Sequence, residues 1–595
     1  MRNKFKIKLL SIIDVLVFLL FLPLSVSANV YENKMAVISF NYSDSCFAQS
    51  SDVASTASNS GLARKILNKN NEKGLNLLTQ KMLNGANTIY EIQYDFVLGS
   101  NIVIPENCII DFNGGSISSN GAYKKIVGNN TIIRAEAVRI FDANVVLDGT
   151  WKVFDSYPEW FGAISNSKND AAPAIQSCIN SFNRVLINGS FNVNSTLLLL
   201  NNTELIGKGV YNANLFFGEN VTIGIAQHPN ITTLRGATIK NIVLSKDKVS
   251  NNSSGIYLKR ASQINIESVT AIRFSYGFDL NCFYVGTIKK CDATQCGIGF
   301  YFGRNDGNST STTIESCYAL KCDVGYILKR LNYSMLTSCA CDESRIAYDF
   351  WHSNVTLNNC GCELIGERII SLDMHSEDDV LLNKCGNMVS INDFQAIECQ
   401  GNVPPILISA GTRLADDRNI VNINGLYLGV NKDARIDKLI QYSGDTQLYL
   451  SRISTPYGKI PLFENTSKGV PFNAYACSQI YVEGKRYVTL PLLEKVVKSR
   501  VGEVAYVHMN NTFVECYWNG VKWVDNKGFS IGMHKGKKSL RPKGRAAGDS
   551  SLHILDANDI GYEYYDTSIN KLIYVKSVDS KGMVIWVDAM GNVMP

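Results

Sequence analysis

Between residues 264 and 372 the apolar positions fall in short blocks and follow no helical face. The blocks are Ile266-Glu-Ser-Val269, Ile288-Lys-Lys-Cys291, Ile314-Glu-Ser-Cys317, Leu336-Thr-Ser-Cys339 and Leu357-Asn-Asn-Cys360, starting 22, 26, 22 and 21 residues apart. Two residues past each block stands Ala271, Ala293, Ala319, Cys341 or Cys362, and six further on Gly277, Gly299, Gly325, Ala347 or Arg368. Behind the first four of these come Phe278-Asp-Leu, Phe300-Tyr-Phe, Tyr326-Ile-Leu and Tyr348-Asp-Phe, whose first and third residues are apolar, as on the inward face of a strand. Ile239-Lys-Asn-Ile242 with Gly255-Ile-Tyr-Leu258 fits as an earlier copy with one insertion.

A period near 22 with small residues at bends and strand-like alternation suits a coil of parallel strands, each turn burying its inward side chains against the turns on either side. Leucine-rich repeats share the period but need a Leu-rich pattern with a fixed Asn, which is absent, and a helical stretch that these units lack. The sequence therefore predicts an all-β protein, a right-handed single-stranded parallel β-helix with small β-rich modules at both ends. Its length of 595 residues agrees, since a solenoid grows by adding turns.

The segment before the repeat is more specific. Trp160-Phe161-Gly162-Ala163, Asp170-Ala-Ala-Pro-Ala174-Ile175-Gln176, Gly189-Ser-Phe191 and Leu205-Ile-Gly207-Lys-Gly209 together resemble the opening of the pectate-lyase-like β-helix family. In that family a Phe-Gly-Ala turn precedes an Asp-rich turn and a short helix that caps the coil. The likeness spans roughly residues 155–430. It implies a glycan-handling β-helix, while the reaction differs among members, which include lyases, hydrolases, epimerases and phage tail proteins. One departure stands out: the family's Asp-Gly-x-x-Asp-Asp turn is here Ser165-Asn-Ser-Lys-Asn169-Asp170, which leaves capping as the role for the acid.

Around the coil, Arg2, Lys4, Lys6 and Lys8, the apolar run Leu9 to Leu24 and Val26-Ser27-Ala28 read as a signal peptide with the mature chain starting at Asn29, so a secreted or periplasmic product is expected. No later segment is long and apolar enough to span a bilayer. The expected organisation is a signal peptide over 1–28, a linker and N-terminal β cap over 29–150, the β-helix over 151–465 and two small β modules over 466–530 and 531–595. Within the cap region the amphipathic stretch Leu75 to Leu83 reads as a capping piece. The two C-terminal modules carry Trp523-Val-Asp525 and Trp586-Val-Asp588, copies 63 residues apart, whose rings suit packing or oligomerisation better than sugar stacking; a homo-oligomer is left open. Between them, Lys535 to Arg545 reads as a basic, solvated linker.

Composition narrows the function. The formal charge of +5 drops to near +2 once the leader is removed, too little for a nucleic-acid partner. Many of the sixteen cysteines recur at one place in the repeat, which points to stacked core thiols in place of a disulfide framework or a zinc site.

In the aligned turns, the first and third residues after the bend point inward and the second and fourth outward. The outward second column holds Tyr257, Asp279, Tyr301, Ile327 and Asp349; the fourth holds Lys259, Asn281, Gly303, Lys329 and Trp351. At the adjoining corner the column continues with Arg260, Cys282, Arg304, Arg330 and His352, and Tyr333, Asp306 and His375 lie in the connecting loops. A single Lys or Arg at a β corner is ordinarily solvated; a whole flank of aromatic, basic and acidic groups suits a polysaccharide. Tyr257, Lys259, Arg260, Asp279, Tyr301, Asp306, Asp349 and Trp351 are the expected substrate contacts.

Hydrolysis needs two carboxyls about 5 to 9.5 Å apart, and Asp279 and Asp349, three turns apart, would be roughly 14 Å apart. Asp306 paired with either one stays open. A lyase on a uronic acid instead needs a carboxylate neutraliser, a base and an acid, and the flank offers Arg304 and Arg330, His352 or Lys329, and Tyr333 in those roles. The expected function is a polysaccharide lyase on an acidic glycan such as a glycosaminoglycan or a pectin-like polymer; a glycoside hydrolase on the same fold and a non-catalytic, tail-fibre-like glycan binder are the alternatives. No cofactor follows from the residues, except that Asp373, Glu377, Asp378 and Asp379 form an oxygen-rich turn able to take Ca²⁺, though a solvated acidic turn accounts for them better.

Overall fold

The computed structural model divides the chain into two units, 1–62 and 63–595. It describes residues 61–595 other than 73, 210–211, 306, 373–385, 401–404, 410–418, 431–438, 444–445, 455–462, 466–478, 483–484, 490–500, 503, 510–511, 520–522, 526–533, 537, 542, 544–554 and 556–559. The leader expected over 1–28 lies outside the described residues, as do Asp306, His375 and the acidic turn at 373–379. No helix among the described residues is long and apolar enough to cross a membrane.

The main body is a parallel β-helix whose register matches the stacking read from sequence. In the first row Ile239, Ile266, Ile288, Ile314, Leu336 and Leu357 are successive register partners. In the second, Leu244, Ala271, Ala293, Ala319, Cys341 and Cys362 follow one another. In the third, Ile256, Phe278, Phe300, Tyr326, Tyr348 and Ile370 do so. These inward residues are at most 5% exposed. Phe278, Phe300, Tyr326 and Tyr348 stack face to face with centroids 4.7, 4.8 and 4.9 Å apart, the spacing of the strands themselves.

The block motif now has a physical reading. Its third residue, Ser268, Lys290, Ser316, Ser338 or Asn359, takes a left-handed φ of 50–53° and turns the chain from the first row into the second. The next residue then faces inward. That residue is Cys291, Cys317, Cys339 or Cys360 on four consecutive turns, and each thiol donates to a carbonyl of the turn below, as from Cys317 to Ile288 and from Cys339 to Ile314, both at 3.5 Å. All thirteen described cysteines are buried and free. At the bend into the third row the small residue is required by close approach: a Cβ on Gly277 would lie 2.7 Å from the Gly299 carbonyl oxygen.

The coil opens as the family resemblance implies. A 3₁₀ turn, Pro158–Phe161, ends at Gly162 with φ 94°, and the helix Ala172–Ser181 lays Ala172, Ala174, Ile175, Cys178 and Ile179 over the first turn. Asp170 Oδ1 accepts from the amides of Ala172 and Asn194, so the acid caps the helix and ties it to the next turn.

Ahead of this cap, residues 63–151 form a shorter parallel coil. Ala63–Ile66, Thr88–Ile92, Ile109–Phe112 and the end of Lys124–Arg134 make one row of it. The stretch Leu75 to Leu83 is part of its first turn, a strand over Leu75–Leu78 followed by a 3₁₀ turn at Gln80–Met82.

The C-terminal repeat is a repeated topology. Lys485–Thr489 pairs parallel with Val504–Met509, which continues antiparallel through Thr512–Trp518 to Trp523–Val524. His534–Gly536 pairs parallel with Glu563–Asp566, which continues antiparallel through Lys571–Val578 to Val584–Val587. Trp523 and Trp586 are 5% and 6% exposed and pack edge-on against Trp518 and Tyr562, so both rings serve packing. The reading of Lys535–Arg545 as a solvated linker is corrected: Lys535 lies in a strand and Arg541 is buried, its Nε donating to the fully buried Asp566 at 2.6 Å.

Candidate functional site

The outward column of the third row is the one read from sequence: Tyr257, Asp279, Tyr301, Ile327 and Asp349 are consecutive register partners. Lys329 and Trp351 are partners in the fourth column. The expected separation of Asp279 and Asp349 by three strand steps holds, and at about 4.8 Å per step they cannot act on one bond.

Two features differ. Arg304 is not in the corner column of Arg330 and His352. Ser309 pairs with Leu331, so the residue that precedes this pairing is Asn308 on one turn and Arg330 on the next; Arg304 sits earlier, in the extra residues that make this turn 26 long. The flank is also less open than a groove of charged side chains would be. Asp279, Asp349, Lys329, Arg330 and His352 are 0%, 3%, 6%, 4% and 8% exposed. Val324, Ile327 and Ile346 form a small apolar cluster outside the coil, with Ile298, Tyr301 and Trp351 packed against it.

Around Asp279 the side chains make a compact polar group. Its Oδ2 accepts from Arg304 Nη1 at 2.7 Å and from Ser254 Oγ at 3.0 Å, while Oδ1 is buried without a hydrogen-bond partner. The Arg304 guanidinium lies 3.9 Å from the Tyr276 ring centroid, and Tyr276 meets Tyr301 at 5.9 Å between centroids. Asn305 is held over the same turn, its amide donating to Asn281 Oδ1 at 2.9 Å and its Nδ2 reaching the Tyr257 hydroxyl at 3.4 Å. Burial raises the Asp279 carboxyl above its ordinary range, against the pull of Arg304. Burial likewise pushes the Tyr301 hydroxyl up to about 12, with Tyr276 and Asp279 adding to it, and raises Tyr257. Near neutral pH both tyrosines therefore carry their protons.

Further up the row, Trp351 Nε1 donates to Asp349 Oδ2 at 2.8 Å and Lys329 Nζ lies 5.1 Å from the Trp351 ring centroid. Lys329, Arg330, Asp349, Trp351 and His352 each have further contacts of their own. Arg330 and His352 take left-handed φ angles of 51°, as do other corner residues of the coil, so this is the corner's geometry and no special strain. Lys259 and Arg260 are exposed. Tyr333 is 78% exposed, on the next corner and away from the Asp279 group.

The sequence reading brought Tyr257, Asp279, Tyr301 and Arg304 together and missed Ser254, Tyr276 and Asn305. Tyr276 precedes the bend glycine, where its register partners are Ile298 and, a turn on, Val324. The available signal was that Tyr276 and its partner Ser254 stand in a column that continues as Ile298, Val324 and Ile346. Among the described residues no cluster of three or more His, Cys, Asp or Glu is placed to hold a metal ion.

The sequence matches no protein-family model and no curated protein. Among solved structures it overlaps the gp42 tailspike of Acinetobacter phage vb_AbaP_AS12 at 14% identity, over 73% of this chain and 74% of that one, with a TM-score of 0.43. A Yersinia enterocolitica family 28 exopolygalacturonase overlaps at 11% identity over 56% and 79%, TM-score 0.34. The A-module of an Azotobacter vinelandii mannuronan C-5 epimerase does so at 12% identity over 55% and 98%, TM-score 0.31. Overlaps this loose say nothing of what the chain does; the parallel β-helix stands on its own strand register.

Proposed function

We propose that the protein binds an acidic polysaccharide along the outer face of the third row and cleaves it by β-elimination. The observation that supports this is the group around Asp279: a buried carboxyl, an arginine stacked on a tyrosine, and two protonated tyrosines on the turns either side of it. Arginine with open donors fits a uronate carboxylate in a fork, and tyrosine rings fit the apolar face of a sugar.

In the proposed reaction Arg304, with Nη1 committed to Asp279, holds the substrate carboxylate with its remaining donors, assisted by Arg330. A base takes the C5 proton; the electrons of that bond form the C4–C5 double bond as the C4–O bond breaks, and the departing oxygen takes a proton from tyrosine. Tyr301 is the donor in the third row itself, with Tyr333 at the rim. His352 or Lys329 is the base. Lys329 is two residues along from Ile327, the register partner of Tyr301, and thus lies on the turn beside the donor.

The test is ultraviolet absorbance of unsaturated uronide during incubation of the purified protein with polygalacturonate, alginate, hyaluronan and heparosan. A rise that Arg304→Ala and Tyr301→Phe each cut by about 10² or more is expected. New reducing ends without absorbance would replace elimination with hydrolysis, and neither signal would overturn cleavage and leave a binding protein.

A further inference from the structure

We infer a second carbohydrate site, for one neutral sugar residue, in the N-terminal coil. A cleft of about 230 Å³ opens at one corner of that coil, among Asp95, Gly114, Ser116, Ser118, Arg139 and Asp142.

The register explains why a recess exists there. Ile92 pairs with Phe112, and Phe96 with Ile117, which bridges to Phe141; Asp111 pairs with Arg134. The corner is thus crossed by residues 93–95, then 113–116, then 136–140, longer on each successive turn. Loops of growing length do not lie flush, which leaves a recess at the corner. Gly114 and Gly115 put no side chain into it. A Cβ on Gly115 would meet the Tyr94 carbonyl oxygen at 2.4 Å, whereas Gly114, with φ 92°, has nothing within 4 Å of its Cβ position and faces open space.

The polar groups on the walls are fixed. Asp142 is clamped by the Ser119 amide at 2.7 Å and the Asn144 amide at 3.0 Å. Asp95 Oδ1 accepts from Ser116 Oγ at 2.7 Å, leaving Oδ2 to a ligand. The Arg139 side chain lies against Gly162, with Nε reaching the Phe141 carbonyl at 3.4 Å, which leaves its terminal nitrogens for an incoming acceptor. Phe112, Val138, Ile140 and Phe141 supply an apolar side.

Asp95 Oδ2 takes a sugar hydroxyl as donor, Arg139 takes a hydroxyl or ring oxygen as acceptor, and the apolar side takes the C–H face of a ring. Two carboxylates against one guanidinium leave the cleft net negative. It therefore rejects a uronate and accepts an uncharged sugar, the opposite preference to the third row.

The site does not depend on the third-row proposal, and its test is separable from it. Saturation-transfer NMR and calorimetry on the full chain with galactose, glucose, mannose and N-acetylglucosamine should show one of them binding with Kd of about 1 mM, as expected for a ligand of this size. Glucuronate should bind at least tenfold more weakly. Asp95→Asn and Arg139→Gln should each weaken the neutral sugar tenfold or more, while Arg304→Ala, in the other site, leaves it unchanged. The two substituted side chains are exposed, so folding is checked simply by an unchanged melting curve. Saturation of none of the four sugars below 100 mM, or unaltered binding in both variants, would overturn the site, as would loss in Arg304→Ala alone.

Discussion

Single residues set the chemistry of this coil through what their polar atoms are given. In the third-row stack the two phenylalanines are followed by two tyrosines, and the tyrosine hydroxyls are used: Tyr326 donates to the Cys317 carbonyl at 2.9 Å and Tyr348 to the Cys339 carbonyl at 2.9 Å, both fully buried. Tyr326→Phe keeps the ring and the stack and removes only the hydrogen bond, so a loss of about 1 kcal/mol in denaturant unfolding is expected. Phe300→Ala removes a ring stacked on both sides and should cost about 3–5 kcal/mol. A smaller loss for the second change than for the first would show that the stack is not what holds these turns. Such residues were legible beforehand because a side chain facing inward on every turn must be apolar or paired. Tyr276 and Ser254 were not, because outward positions obey no packing rule and only the fold reveals that Arg304 turns back over Tyr276 and that Ser254 bonds Asp279.

At the scale of elements, the rows and bends were read correctly because a residue in left-handed conformation must recur at each corner and a small one wherever turns approach closely. Arg304 was misplaced for the same reason that the repeat was readable. The repeat runs evenly up to the bend, and the insertion that follows Gly303 shifts the corner by several residues without altering the row before it. The basic stretch from Lys535 was misread because its composition is that of a linker, and only the pairing of His534–Gly536 with Glu563–Asp566 shows that it enters a sheet. Arg541 is the point where this matters. It ion-pairs with Asp566, their side chains 8% and 0% exposed, so Arg541→Ala should destabilise the second C-terminal module by about 3–5 kcal/mol, seen as faster amide exchange in Lys571–Val578 with the main coil unchanged. The thiol column is a further element with a direct check. If Cys291, Cys317, Cys339 and Cys360 pack as thiols, alkylation without reductant should label all thirteen of the described cysteines in denaturant and almost none of these thirteen in the native protein. Mass shifts showing paired cysteines would contradict the column.

Across the whole molecule one continuous core runs from Leu67 to Leu450, but in a solenoid each turn touches only its neighbours, so each stretch of turns answers to its own groups. Glu91 and Asp566 near the ends and three aspartates of the middle turns are shifted in opposite directions, while Glu267 in the first row is held low by Lys240. In the N-terminal coil, hydrogen bonds from Asn113, Gln93 and Arg64 hold Glu91 down to about 2. In the last module, Ser568 and Arg541 outweigh burial and keep Asp566 below its ordinary value. In the middle, burial raises Asp279, Asp292 and Asp342. A carboxyl lowered in the fold stabilises it above the unfolded pKa, near 4 for Asp and Glu, and that contribution is lost as pH falls from there toward the folded value. A raised carboxyl has the opposite sign: the folded chain binds the proton more readily, so stability grows as pH falls through the folded value toward 4. Acidification from pH 6 to pH 3 should therefore loosen both ends first, with exchange rising in Thr88–Ile92 and Glu563–Asp566 before it rises in the third row around Phe278 to Tyr348. Glu91→Gln should remove most of the acid sensitivity of the N-terminal coil and lower its stability at pH 7. Simultaneous loosening of all three regions would mean that the turns unfold as one cooperative body and that these local carboxyls do not decide where the coil opens.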